Sequence, residues 1–132
     1  MLTPRVAIIG VGGHGRSHVA RVHELAQHGR VEFVAAADPS VAAHLDQLPG
    51  VAAFEDADTM LAEAAPDIVI ISTPIHTHFP LATAALKAGA DVLLEKPPTA
   101  TLDEFQALVT TAAGDSARSR RCCAGTGGMP RC

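Results

Sequence analysis

Apolar residues along this chain gather in short continuous blocks, and between the blocks they recur at helical spacing. The blocks are Val6–Ile9, Val31–Ala37 (interrupted only by Glu32), Val51–Phe54, Ile68–Ser72 and Val92–Leu94. Runs of this kind, without polar alternation, suit strands covered on both faces, as in a parallel sheet. The first helix is predicted over about Gly13–His28, with Val19, Val22, Leu25 and Ala26 on one face and Gly29 as its stop. A short helix follows Asp38-Pro39-Ser40 and runs to about Asp46. The next spans Asp56–Ala64, with Met60, Leu61 and Ala64 inward. Another runs from about Thr77 to Ala88. Thr77 is its expected N-cap, Pro80 lies in its first turn where a missing N–H costs little, and Gly89 ends it. Thr101-Leu102-Asp103-Glu104 reads as a capping box, and the helix beyond it places Leu102, Phe105, Leu108 and Val109 on one face.

Strand followed by helix, five times over, predicts an α/β fold built on a doubly wound parallel sheet. Right-handed crossovers then place a crevice at the carboxyl ends of strands one and four, where the strand order reverses. Gly10–Gly15, Asp38, Thr73-Pro74 and Glu95-Lys96 all fall at predicted strand carboxyl ends.

Composition narrows the picture. The 132 residues are 48% apolar, with four Phe and no Trp or Tyr, so the core is expected to be aliphatic and alanine-rich. No apolar run approaches the roughly 20 residues of a membrane span. Met1-Leu2-Thr3-Pro4-Arg5 lacks the shape of a signal peptide, so a cytoplasmic location is expected. Residues 1–113 hold six Lys/Arg against thirteen Asp/Glu, an acidic body without the basic patch that nucleic-acid binding requires. After Ala113 the periodicity stops. Residues 114–132 carry four Arg, one Asp and all three cysteines, and are expected to be a disordered or aberrant tail. The domain division is therefore 1–113 and 114–132. Because Arg118–Cys132 does not read as a strand, strand five is expected to form an exposed sheet edge.

The chemistry centres on Gly10, Gly12 and Gly15, a G-x-G-x-x-G spacing after a strand and before a helix. Gly10 allows the tight turn, Gly12 lets backbone N–H groups approach a phosphate, and Gly15 lets helix and strand pack closely. A glycine turn that binds nothing is the alternative reading. Asp38, 23 residues after Gly15, can accept bonds from ribose hydroxyls and would repel a 2′-phosphate. One such like-charge pair at about 4 Å costs roughly 4 kcal/mol at an effective dielectric of about 20. This favours NAD over NADP, whereas a helix cap is the other role open to Asp38. Lys96, beside Glu95, either assists proton transfer from a substrate hydroxyl or is a solvated lysine paired with that glutamate. His14 and His18, and His76 and His78, have partial metal-ligand spacing but no carboxylates placed to complete a site, so no metal is expected.

Gly-Val-Gly-Gly-His-Gly-Arg-Ser-His at 10–18, Ala-Asp-Pro at 37–39, Ser-Thr-Pro-Ile-His-Thr-His at 72–78 and Glu-Lys-Pro at 95–97 resemble the glucose–fructose oxidoreductase/inositol dehydrogenase/MocA family over about residues 5–113. The resemblance implies a Rossmann domain of about five strands. It assigns Gly10, Gly12, Gly13 and Gly15 to the pyrophosphate and Asp38 to the adenosine ribose. Thr73, Pro74, His78 and Glu95 are assigned to the surroundings of the cofactor, and Lys96 to nicotinamide and substrate, the latter as the catalytic position. It also implies hydride transfer between nicotinamide and a sugar, inositol or related polyol. Members of this family continue into a sixth strand and an α+β substrate domain of which this sequence shows nothing. The chain is therefore expected to be a truncated or frameshifted product, weakly active or inactive alone, and whether it is an enzyme is left open. A non-catalytic nucleotide-binding module and a nonfunctional fragment are the competing readings.

Overall fold

The computed structural model describes residues 3–114 and 122–124. The chain runs β1 (Arg5–Ile9), α1 (Gly15–Gln27), β2 (Glu32–Ala37), a 3-10 helix (Val41–Gln47), β3 (Ala52–Phe54), α2 (Ala57–Ala64) and β4 (Ile68–Ile71). A 3-10 turn (Ile75–Thr77), α3 (His78–Lys87), β5 (Asp91–Leu94), α4 (Leu102–Gly114) and β6 (Cys122–Ala124) complete it. The strands form one parallel sheet in the order β3-β2-β1-β4-β5-β6. Chain order reverses between β1 and β4, the doubly wound arrangement expected.

Successive side chains of a strand point to opposite faces, and β1 shows what that does here. Ala7 and Ile9 join Val69, Ile71, Val92 and Leu94 beneath α2, α3 and α4, where Met60, Leu61, Ala82, Leu86 and Leu108 close the layer. Val6 and Ile8 face the other way, with Phe33, Ala36 and Ile70, beneath Val19 and Val22 of α1 and Val41 and Leu48 around the 3-10 helix. Val34 is an extra residue in β2: Val6 pairs with Phe33 but Ala7 with Ala35. This bulge puts Phe33 and Ala36 on one face, which simple alternation forbids. None of the described helices is long and apolar enough to cross a membrane.

Three expectations need correction. A short sixth strand does exist: Cys122–Ala124 pairs in parallel with Val92–Leu94, so β5 is not the sheet edge. Pairing of this kind needs only backbone N–H and C=O groups, which a segment without strand-like side chains also carries. The rest of the expected tail lies outside the described residues. On α4, Leu108 and Ala112 are buried, but Leu102 is 69% and Val109 48% exposed, so only part of the predicted apolar face meets the sheet layer. Thr77 occupies the N-cap position of α3 without capping it. Its hydroxyl instead bonds the Pro74 carbonyl (2.7 Å) and the Thr73 hydroxyl (2.6 Å). The capping box of α4 does form: the Glu104 N–H donates to Thr101 Oγ1 at 3.1 Å, while the Glu104 carboxylate reaches back to the Ala100 N–H at 3.2 Å.

Candidate functional site

β1 ends against its neighbours with almost no room. The Gly10 N–H donates to the Ala37 carbonyl at 2.8 Å, and Gly10 has φ +92°. A Cβ there would lie 2.3 Å from the Ser72 carbonyl oxygen. A Cβ on Gly15 would lie 2.1 Å from the Gly10 carbonyl oxygen. Both positions are therefore closed to any side chain by the fold itself. Gly12 differs. The nearest atom to its notional Cβ is His44 Nε2 at 3.5 Å, an ordinary van der Waals distance, so its lack of a side chain is not required by packing.

The turn presents a row of donors. Gly15, Arg16 and Ser17 N–H groups bond back to the carbonyls of Gly12, Gly13 and His14. Among the described residues, the N–H groups of Gly12, Gly13 and His14 donate to no carbonyl or side chain. α1 opens without a side-chain cap and without an acidic residue in its first turn. Uncapped N–H groups at the positive end of a helix dipole favour an anion.

Asp38 stands opposite and is tied to this turn. Its Oδ2 accepts from the Val11 N–H at 3.0 Å and its Oδ1 from the Ser40 N–H at 2.8 Å. Each carboxylate oxygen has a further lone pair to offer, so a second acceptor role toward hydroxyl groups stays open. The turn and Asp38 border a cleft of about 670 Å³, lined also by Pro39, Glu55–Asp58, Ser72, Thr73, Pro74, Thr77, Pro80 and Leu81. That size falls within the roughly 300–1,000 Å³ of small-molecule sites. Four of the lining residues are acidic and none is Lys or Arg. Asp56 caps α2, accepting from Thr59 N (3.0 Å) and Thr59 Oγ1 (2.7 Å), and these bonds hold its carboxyl below the ordinary carboxylate range.

Of the residues singled out in the sequence, Gly10, Gly12, Asp38, Thr73 and Pro74 share this cleft, while Gly13 and Gly15 belong to the same turn. His78, Glu95 and Lys96 do not line it. His78 is 1% exposed, with Nε2 2.8 Å from the Thr73 carbonyl and Nδ1 3.0 and 3.1 Å from the Pro97 and Pro98 carbonyls. Its ring clasps the turn after β4 to the turn after β5. Lys96 is exposed. Glu95 makes a 2.8 Å pair with His18 Nε2, and its other oxygen accepts from the Lys96 N–H at 3.2 Å. The His18 hydrogen bond is the main cause of a lowered Glu95 pKa; partial burial opposes it and the Lys96 N–H reinforces it.

Sequence reasoning passed over His18 as a partner of Glu95, His44 beside Gly12, and the Glu55–Asp58 wall. His18 carried one usable signal, its place in the first turn of a helix that begins at the crevice. Among the described residues no three His, Cys, Asp or Glu side chains gather as a metal-holding group.

Residues 4–120 match the model of GFO_IDH_MocA, the oxidoreductase family with an NAD-binding Rossmann fold. The chain belongs to this family. It is 38% identical over 110 residues to a UDP-N-acetylglucosamine 3-dehydrogenase of Acidithiobacillus ferrooxidans, covering 83% of this chain and 33% of that protein. An inositol 2-dehydrogenase of Saccharopolyspora erythraea is 34% identical over 122 residues, 91% of this chain and 35% of the relative. The scyllo-inositol dehydrogenase of Lactobacillus casei, solved with NAD(H) and scyllo-inositol, superposes with a TM-score of 0.81 at 29% identity, over 94% of this chain and 36% of that one. The chain thus spans about a third of the length of the relatives it matches.

Proposed function

We propose that residues 1–113 are the dinucleotide-binding unit of a dehydrogenase acting on a sugar, inositol or related polyol, and that the cleft beside Gly10–Gly15 takes NAD. The reading is carried by the unbonded N–H groups of Gly12–His14 at the uncapped start of α1, set against an Asp38 carboxylate with acceptor capacity to spare. These donors suit a pyrophosphate and that acceptor suits a ribose diol. The all-acidic charge of the cleft favours NAD over NADP, since a 2′-phosphate would meet carboxylates and no cation. A nicotinamide held there would supply the hydride acceptor for oxidation of the substrate carbinol. The exposed Lys96, just beyond the end of β5, orients the substrate hydroxyl and assists transfer of its proton to solvent, with Glu95 and His18 fixing the lysine backbone. His78 supports this site from behind by holding the two turns together.

A second reading, a nucleotide-binding module without catalysis, is favoured by Lys96 standing outside the cleft. Titrating NADH and NAD into the purified chain tests the binding claim, with Gly12→Val as control. Binding that survives this substitution would remove the proposed site. Oxidation of inositol or a nucleotide sugar by the chain alone would remove the second reading.

A further inference from the structure

His44 lies on the 3-10 helix after β2, six residues beyond Asp38, and its ring edge lies against the glycine turn. Nε2 is 3.5 Å and Cε1 3.7 Å from the point where a Gly12 side chain would begin. A flip of the ring exchanges these two atoms, so either orientation presents a nitrogen to Gly12. The opposite nitrogen, Nδ1, is buried and has no hydrogen-bond partner among the described residues. A buried, unpartnered nitrogen weakens a fold. Phenylalanine or leucine would fill the same place without that cost. The helix itself is anchored by Val41 and Leu48, which are buried, so the histidine is not needed to seat it.

We infer that His44 is a binding residue for a phosphate of the dinucleotide: it donates from the ring edge facing Gly12 to a phosphoryl oxygen held by the N–H groups of the turn. This rests on the proposal that the turn binds a pyrophosphate. A group approaching the Gly12 backbone as closely as the missing Cβ allows meets the histidine edge next. The turn supplies neutral N–H donors on one side of the anion and His44 supplies a side-chain donor on the other. The arrangement assigns His44 to the phosphates and Asp38 to the ribose, two contacts from one connection between β2 and β3.

The test uses the 132-residue chain with NADH, ADP, 2′-AMP and adenosine as probes. His44→Phe keeps an aromatic ring and removes both nitrogens. It is expected to weaken NADH and ADP about ten- to a hundredfold, the range for a hydrogen bond to a charged group, and to leave adenosine binding unchanged. Its ligand-free melting temperature is expected to equal or exceed that of the wild type, because an unpartnered buried nitrogen is gone. His44→Gln, which restores a donor, is expected to recover most of the ADP affinity. In the unaltered chain, ADP should shift the His44 imidazole resonances and adenosine should not, a measurement independent of any variant's folding. ADP affinity within twofold of wild type in His44→Phe, equal loss for ADP and adenosine, or loss for 2′-AMP alone would each overturn the assignment. If the wild-type chain binds neither NADH nor ADP, the pyrophosphate reading itself fails and this one falls with it.

Discussion

Removing the Asp38 carboxylate is the usual way to turn an NAD site toward NADP, and here it should fail. In isolation the reasoning for the change is sound: the carboxylate would repel a 2′-phosphate by roughly 4 kcal/mol at about 4 Å. But Asp38 also accepts the Val11 N–H at 3.0 Å, and Val11 is fully buried. Asp38→Ala leaves that donor without a partner, at a cost of about 1–3 kcal/mol. The Ser40 N–H is exposed and can turn to water, so it adds little. The loss falls on the Val11 N–H, one residue before the Gly12 N–H proposed to meet the pyrophosphate, so affinity for either dinucleotide should drop. The expected result is a melting temperature lowered by several degrees, with NADPH bound by the variant more weakly than NADH is bound by the wild type. Thermal melts and fluorescence titrations with both reduced cofactors measure this. A variant that melts with the wild type and binds NADPH as tightly as the wild type binds NADH would refute the tether.

Gly12 and Gly15 should separate cleanly. Gly15→Ala places a Cβ 2.1 Å from the Gly10 carbonyl oxygen and should cost several kcal/mol or abolish folding, whereas Gly12→Val should fold and lose nucleotide, as circular dichroism and NADH titration would report. His78→Phe removes the contacts to the Thr73, Pro97 and Pro98 carbonyls, and should destabilise the chain by about 1–3 kcal/mol in urea titration; an unchanged midpoint would show that the clasp carries no energy. Glu95 has a folded pKa below its ordinary value of 4.5, chiefly through the His18 hydrogen bond, so that bond adds stability above that pH and loses it as pH falls through the lowered value. Glu95→Gln should therefore lower the melting temperature at pH 7 and converge with the wild type in acid, and parallel pH profiles would contradict the pairing.

The sheet was readable because its central strands are covered on both faces, which makes β1, β2, β4 and β5 apolar throughout apart from the charged residue that opens β1, β2 and β5. The topology followed from helices too short and too regularly placed for anything but crossovers. What escaped notice depends on contacts distant in sequence or on backbone alone. The bulge at Val34 leaves no trace in a run where every residue is apolar. His18 and Glu95 are 77 residues apart and meet only in the folded chain, where the first turn of α1 comes up to the residue after β5. Leu102 and Val109 fit the helical period of α4 as well as Leu108 does, and period alone does not say where the covering layer ends. Gly10, Gly12 and Gly15 look alike in a motif. The fold separates them: Gly10 is forced by the Ser72 carbonyl after β4, Gly15 by the Gly10 carbonyl, and Gly12 by neither.

That last difference bears on what the glycine turn is for. A fold that needed its glycines only for packing would be content with Gly10 and Gly15. Gly12, the uncapped start of α1 and the unpartnered His44 Nδ1 are features that packing does not explain, and Gly12 links them: it stands just before α1, and Nε2 of the same imidazole lies 3.5 Å from its notional Cβ. Glu95 and Lys96 show the opposite pattern. Glu95 is engaged by His18, the lysine backbone by Glu95, and the Lys96 side chain is exposed outside the cleft. On the proposed reading the roles divide accordingly: phosphate and ribose fall to the turn and Asp38, which border the cleft, and the substrate hydroxyl to the exposed Lys96 outside it.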